Sequence, residues 1–191
     1  MIFTPTIRKA IVFSIKTHEV YQKQNRKGKD IAYITHPLTV GLILARANAE
    51  EDVVVAGILH DTIEDSIDKK KVTRGMLADR FSKNVADLVD SVTEQQKDLE
   101  WEKRKHEALE HIKTFSRDSL LVKSADIISN VSEILEDYRK EGPNIFRRFN
   151  APKEKVVRHY KETMETVLSR WPEIPFAEDL NLLISALKTI E

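Results

Sequence analysis

The 191-residue chain contains no cysteine. Disulfides, thiolate metal sites and a cysteine nucleophile are therefore excluded, and any metal site must draw on histidine, carboxylate, amide or water. A reducing, cytoplasmic setting fits that composition. Glycine and proline are scarce, at five and six residues, and strand-like alternation is scarcer than helix-like periodicity. No apolar run approaches the roughly 20 residues of a membrane span. The first twenty residues are interrupted by Arg8, Lys9 and Lys16 and no small-residue cleavage site follows, so no signal peptide is expected. An excess of charge of either sign is also lacking, with 31 basic against 31 acidic residues. Neither a nucleic-acid partner nor a solvating acidic tail is indicated. Repeats, low-complexity blocks and long linkers are absent as well.

What is present reads as one all-α domain over residues 1–191, with a core over about 4–170. Pro5 starts a first helix carrying Ile7, Ile11 and Ile15. The segment NRKGKDIAY breaks it, and THPLTVGLILARA begins a second. In NAEEDVVVAGILHDTIED, Asn48 is a candidate cap and Glu50, Glu51 and Asp52 suit a positive helix start. Residues 53–59 are apolar on every side, the mark of a central, buried helix. Further helices are expected over Thr73–Phe81, Ser82–Val92, 97–115, Asp118–Tyr138 and Pro152 to about Arg170. A last helix over 177–190 places Leu180, Leu183, Ile184 and Leu187 on one face. That face suits packing onto the domain, with a homodimer contact as the alternative.

The segment AGILHDTIED, residues 56–65, drives an apolar run into an imidazole and three carboxylates. Residues four apart on a helix share a face, which sets His60 over Glu64 and Asp61 over Asp65. Together they sit at the negative pole of the helix dipole, where a cation is favoured and bare carboxylates are not. The competing account is an ordinary solvated last turn, and spacing alone leaves the two near parity.

Other residues have blander accounts. His36, just before Pro37, reads alone as a core or capping histidine. Lys123, Asp126 and Asn130 form a polar strip that Glu133 and Asp137 extend, the pattern of a solvated face. His18, His106, His111 and His159 have polar neighbours and read as surface residues. The charged helix DLEWEKRKHEALEHIK reads as a solvated helix with pairs such as Glu100–Arg104.

Taken together, HP at 36–37, HDTIED at 60–65 and KSADIISN at 123–130 resemble the HD-domain hydrolases. The resemblance is nearest to the RelA/SpoT-type alarmone hydrolases that act on (p)ppGpp, and it runs from about Ile7 to Leu168. FSKNVADLVDSVTE and LEWEKRK are similar to that branch too. The resemblance implies that His36, His60, Asp61 and Asp126 hold a metal, manganese foremost, with other divalent first-row ions fitting the same donors. It implies Glu64 and Asp65 as the acidic pair that positions and deprotonates water. Arg26, Tyr33, Lys123 and Asn130 would bind the substrate. Two departures stand out. Ala32 replaces the proline that usually precedes the tyrosine, in a longer loop, and ADIISN replaces the usual ADRLHN-like run. The choice between guanine and adenine stays open.

The function implied is metal-dependent hydrolysis of the 3′-pyrophosphate of guanosine 3′,5′-bis(diphosphate)-type nucleotides, giving GDP or GTP and pyrophosphate. The chain has no room for the synthetase and regulatory domains of the long enzymes, so hydrolysis without synthesis is expected. Three rivals remain. One is a phosphohydrolase acting on another nucleotide, such as an adenine alarmone, NADPH or a nucleoside monophosphate. The second is a helical module that binds an alarmone without turning it over, and the third is a helical scaffold or interaction domain with no ligand.

Overall fold

Several helices start on a threonine or serine whose side chain takes the orphan N–H three residues on. Thr4 accepts from Ile7 at 3.2 Å, Thr73 from Met76 at 3.2 Å, Ser82 from Val85 at 3.0 Å and Ser116 from Ser119 at 3.0 Å. Such caps contribute about 1 kcal/mol each. In the computed structural model, which describes residues 3–94 and 99–190, they open α1 (Pro5–Ile15), α5 (Arg74–Arg80), α6 (Lys83–Val92) and α8 (Arg117–Glu141). The remaining α-helices among the described residues are α2 (Thr35–Arg46), α3 (Glu51–Leu59), α4 (Thr62–Asp65), α7 (Trp101–Ile112), α9 (Lys153–Arg170) and α10 (Ala177–Lys188). The chain is all-α. Among the described residues the one strand-like feature is an isolated bridge between Asn25 and Ala32. Of the helix expected over 97–115, residues 97 and 98 lie outside the described ones, and Trp101–Ile112 is helical.

The all-round apolar segment behaves as its composition dictates. Every residue from Val53 to Leu59 is buried, and α3 is packed by α1, α2, α6 and α8. Each fully buried valine, leucine or isoleucine contributes roughly 1.5–3 kcal/mol of transfer free energy. The α2–α3 approach is set by two glycines. A Cβ on Gly57 would lie 2.3 Å from Leu44 Cδ1, and one on Gly41 would lie 2.5 Å from Ile58 Cγ1. The core continues to the last helix, where Leu180, Ile184 and Leu187 are buried and α10 lies against α8 and α9.

Three local readings are corrected. Asn48 does not cap α3. It sits in the left-handed region at φ 55° and ends α2, where Ala49 N–H reaches Leu44 O and Asn48 N–H reaches Ala45 O, a Schellman stop. The helix through AGILHDTIED is not continuous. It breaks after Leu59 because side chains take the carbonyls of its last turn: His60 Nδ1–H donates to Gly57 O at 2.7 Å and Thr62 Oγ1 to Leu59 O at 2.6 Å. Asp61 becomes the residue before α4. The first helix passes into a π-helical turn, Lys16–Tyr21, so its buried face is Ile7, Ala10 and Ser14, followed by Thr17 and His18, while Ile15 is exposed.

Candidate active site

Four segments converge on one wall of a cavity of about 790 Å³. The start of α2 supplies His36, the α3–α4 break supplies His60 and Asp61, α4 itself supplies Glu64, and the middle of α8 supplies Lys123, Asp126 and Asn130. The loop before α2 adds Arg26 and Tyr33. His36, His60 and Asp126 each offer a donor atom within 4.8 Å of the others. Asp61 Oδ2 lies 3.1 Å from His60 Nε2 and 3.6 Å from His36 Nε2, and Asp126 Oδ1 lies 3.3 Å from His36 Nε2.

Each imidazole is aimed by its other nitrogen. His36 Nδ1 is 2.9 Å from Ser129 Oγ, and His60 Nδ1–H is held by Gly57 O. Both Nε2 atoms therefore face the carboxylates, the outer-shell pattern usual for metal-binding histidines. His60 Nε2 is buried and, despite its 3.1 Å approach to Asp61, makes no hydrogen bond of acceptable angle. Donors bonded at about 2.1 Å to one ion lie roughly 3.0–3.5 Å apart, so these residues fit a single divalent cation.

The electrostatics agree with a cation-seeking site. Burial would lower the His60 pKa, but the Asp61 and Asp126 carboxylates outweigh it and raise it to about 9. Burial would raise the Asp61 and Asp126 carboxyls, yet His60 holds Asp61 below the usual range and Lys123 does the same for Asp126. Lys123 Nζ donates to Asp126 Oδ2 at 2.8 Å and Asn130 Nδ2 to Asp126 Oδ1 at 2.6 Å. Tyr33 OH donates to Asp61 Oδ2 at 2.5 Å, and burial followed by the Asp61 charge pushes its pKa well above the ordinary value. The hydroxyl therefore stays a donor.

The acidic pair is split between two surroundings. Glu64 lines the cavity and accepts from Glu94 N–H at 3.3 Å. Asp65 Oδ2 accepts from Gln24 Nε2 at 3.0 Å. Arg26 lies over the Tyr33 ring, 5.4 Å from its centroid, and donates to Glu133 and Asn130.

Three readings of the sequence fail here. The Lys123–Asp126–Asn130 strip is not a solvated face, because Glu133 and Asp137 continue it along the cavity wall and pair with Arg26, Lys29 and Arg148. The charged helix is not simply solvated either, since Arg104 and Lys105 line the cavity and pair with Glu94 at 2.9 and 3.1 Å. Of the four histidines read as surface residues, His18 is fully buried and His159 lines the cavity beside Tyr160. Burial, followed by Lys105 and Lys123, lowers the His159 pKa to about 3. Ser129, Gln24, His159 and Tyr160 were not singled out in the sequence. Arg104 and Lys105 carried a hint, as part of the charged LEWEKRK segment.

Comparison with known proteins bears on the family and the fold. The model of a family described as HD domain matches residues 10–156. A GTP pyrophosphokinase of Myxococcus xanthus is 43% identical over 91 residues, which is 48% of this chain and 11% of that protein. The guanosine-3′,5′-bis(diphosphate) 3′-pyrophosphohydrolase MESH1 of Danio rerio is 31% identical over 133 residues, 69% of this chain and 70% of that protein. The chain thus spans only a small fraction of the long relatives it matches, 11%, 17% and 15% in three cases. A solved structure described as a metazoan ortholog of SpoT that hydrolyzes ppGpp superposes with a TM-score of 0.76, covering 97% of each chain. At 21% identity that likeness speaks for the fold.

Proposed function

Since the chain belongs to the HD-domain family, we propose that it is a metal-dependent pyrophosphohydrolase of a guanosine 3′,5′-bis(diphosphate)-type nucleotide. The observation that carries this reading is the meeting of His36, His60 and Asp126 within 4.8 Å, with Asp61 beside them, on the wall of a nucleotide-sized cavity. The similarity to a protein named as a 3′-pyrophosphohydrolase supports the substrate class.

His36, His60, Asp61 and Asp126 would hold the ion, and nitrogen and oxygen donors without sulfur suit manganese. When bound, a divalent ion polarises a phosphoryl oxygen and lowers the pKa of water towards about 7. The chain's own groups do the rest. Glu64, facing the cavity, takes the proton of the attacking water, with Asp65 completing the acidic pair. Water adds to the phosphorus that carries O3′, the P–O3′ bond breaks, and the freed 3′ oxygen is protonated, leaving GDP or GTP and pyrophosphate. Lys123 and the Arg104–Lys105 pair offset phosphate charge. Asn130 fixes both Asp126 and Arg26, and the outer face of Arg26 is the platform for the base. Tyr33 supports this arrangement from behind, through Asp61 and under Arg26. One domain spanning the chain is supported by a single core cluster running from Ile7 to Ile190.

The test is a nucleotide panel assayed with manganese. Guanosine 3′,5′-bis(diphosphate) is expected to give equal amounts of GDP and pyrophosphate. Faster turnover of NADPH or a nucleoside monophosphate, or orthophosphate as the product, contradicts the reading.

A further inference from the structure

Beneath the acidic pair lies a polar chain that takes no part in holding a metal. His18 is fully buried, with its ring 5.0 Å from that of Tyr33. Its Nδ1 is 3.1 Å from Gln24 Oε1, and the other end of that amide, Nε2, is 3.0 Å from Asp65 Oδ2. The backbone is bent to make this contact. A π-helical turn buries both Thr17 and His18, two successive residues, and π turns are rare and concentrated at functional sites. Lys23, immediately before Gln24, is in the left-handed region at φ 52°, a conformation that persists only where the surroundings fix it. Gln24 is then clamped by Gln24 N–H to His18 O at 3.0 Å and Tyr33 N–H to Gln24 O at 2.9 Å.

The donor and acceptor roles along this chain leave one solution. A carboxylate only accepts, so Gln24 must present its NH₂ to Asp65 and its carbonyl to His18. His18 must then carry its proton on Nδ1. Among the described residues its Nε2 is buried without a partner, and a proton there would be an unpaired buried donor. Reversing the amide would set carbonyl oxygen against carboxylate oxygen.

We propose that Gln24 is a positioning residue for Asp65, with its amide held in one orientation by the Nδ1–H of His18. The role rests on reading Asp65 as half of the acidic pair. Glu64 Oε2 accepts from the Glu94 backbone N–H, a contact distinct from the Gln24 amide that meets Asp65. Gln24 reaches Asp65 across 41 residues of sequence, which ties the aim of α4 to the loop that carries Arg26 and Tyr33.

Two measurements test this in the whole chain, the first loaded with diamagnetic zinc and the second with manganese. The first is the His18 tautomer, read from long-range ¹H–¹⁵N correlations of the imidazole. The Nδ1–H form is expected, and the Nε2–H form overturns the proposal. The second is steady-state hydrolysis of guanosine 3′,5′-bis(diphosphate) by Gln24→Met, His18→Leu and His18→Asn. Outer-shell losses run to roughly 10–100-fold. A fall of that order in kcat is expected for Gln24→Met and His18→Leu, with KM within about threefold and metal content unchanged. His18→Asn, whose amide can replace the Nδ1 donor, is expected to recover most of the rate. Wild-type kcat in Gln24→Met, or equal losses in both His18 variants, overturns the proposal. If a variant does not fold, the wild-type tautomer still decides. A wild-type protein inert towards this nucleotide overturns the substrate reading alone, and the tautomer again decides the positioning role.

Discussion

Glu64 and Asp65 are adjacent in sequence but make different contacts, Glu64 with the Glu94 backbone and Asp65 with the Gln24 amide. Glu64 faces the cavity, so Glu64→Gln is expected to cut hydrolysis by roughly 10²–10⁴-fold while manganese bound per chain, measured by elemental analysis, stays at the wild-type level. Ser129 acts on the metal site from outside, through His36 Nδ1. Ser129→Ala is expected to weaken manganese binding by roughly 10–100-fold, which competition with a metallochromic chelator reads directly. His159 gives a pH signature. Its folded pKa, lowered by burial to about 3, lies below the unfolded value of about 6.5. The unfolded chain therefore binds the extra proton between those values, and stability falls as pH drops through that window, by at most about 1.4 kcal/mol per pH unit. Urea titrations at pH 7, 6, 5 and 4 are expected to show a steeper loss in the wild type than in His159→Gln. At this scale the sequence displayed the residues in motifs: His36 before its proline, the His60–Asp65 run and the Asp126–Asn130 pair were all legible. Ser129, Gln24 and His159 were not, because their partners lie far away in sequence and their residue types carry no signal.

At the scale of elements, α3 shows how a composition becomes a position. Seven successive buried residues put the helix in the centre, and the two glycines let it close on α2 until a methyl group no longer fits. Gly57→Ala inserts that methyl against Leu44 and Val40 beside the carbonyl that aims His60. Overpacking of this kind costs about 1–3 kcal/mol, or roughly 2–12 °C in a domain of this size. Calorimetry should show that loss together with weaker manganese binding, whereas Gly75→Ala, whose Cβ meets nothing nearer than 3.9 Å, should leave metal binding unchanged. Periodicity made most helices legible, and the starts expected at Pro5, Thr73 and Ser82 fall where Thr4, Thr73 and Ser82 cap the helices. What escaped it were the junctions. The break after Leu59 is made by His60 and Thr62 side chains competing for backbone carbonyls, and Asn48 looks like a helix start although it closes the preceding helix. The π turn at Lys16 leaves no mark in hydrophobic spacing.

Over the whole molecule, neutrality hides a local arrangement. The chain carries equal numbers of acidic and basic residues, and among the described residues seven of each line the cavity. The basic ones are largely engaged by acids of the same wall, as in Arg26–Glu133 and Arg104–Glu94. Composition could not reveal this, because opposite charges drawn from distant helices cancel in any count along the chain. A polyphosphate is thus expected to bind weakly to the metal-free protein and much more tightly once the ion adds its charge, a difference calorimetric titration would measure. The same ion should stabilise the fold by mass action, about 2.7 kcal/mol at a hundredfold excess over Kd, or roughly 5–11 °C, reversed by a chelator. All of this depends on residues from the start of α2, the α3–α4 break and α8 meeting at one cation. The direct measurement is metal content of the purified, manganese-equilibrated protein beside its His60→Ala and Asp126→Ala variants, with folding checked by circular dichroism. About one ion per wild-type chain and almost none in either folded variant is expected; wild-type occupancy in both variants would contradict the account.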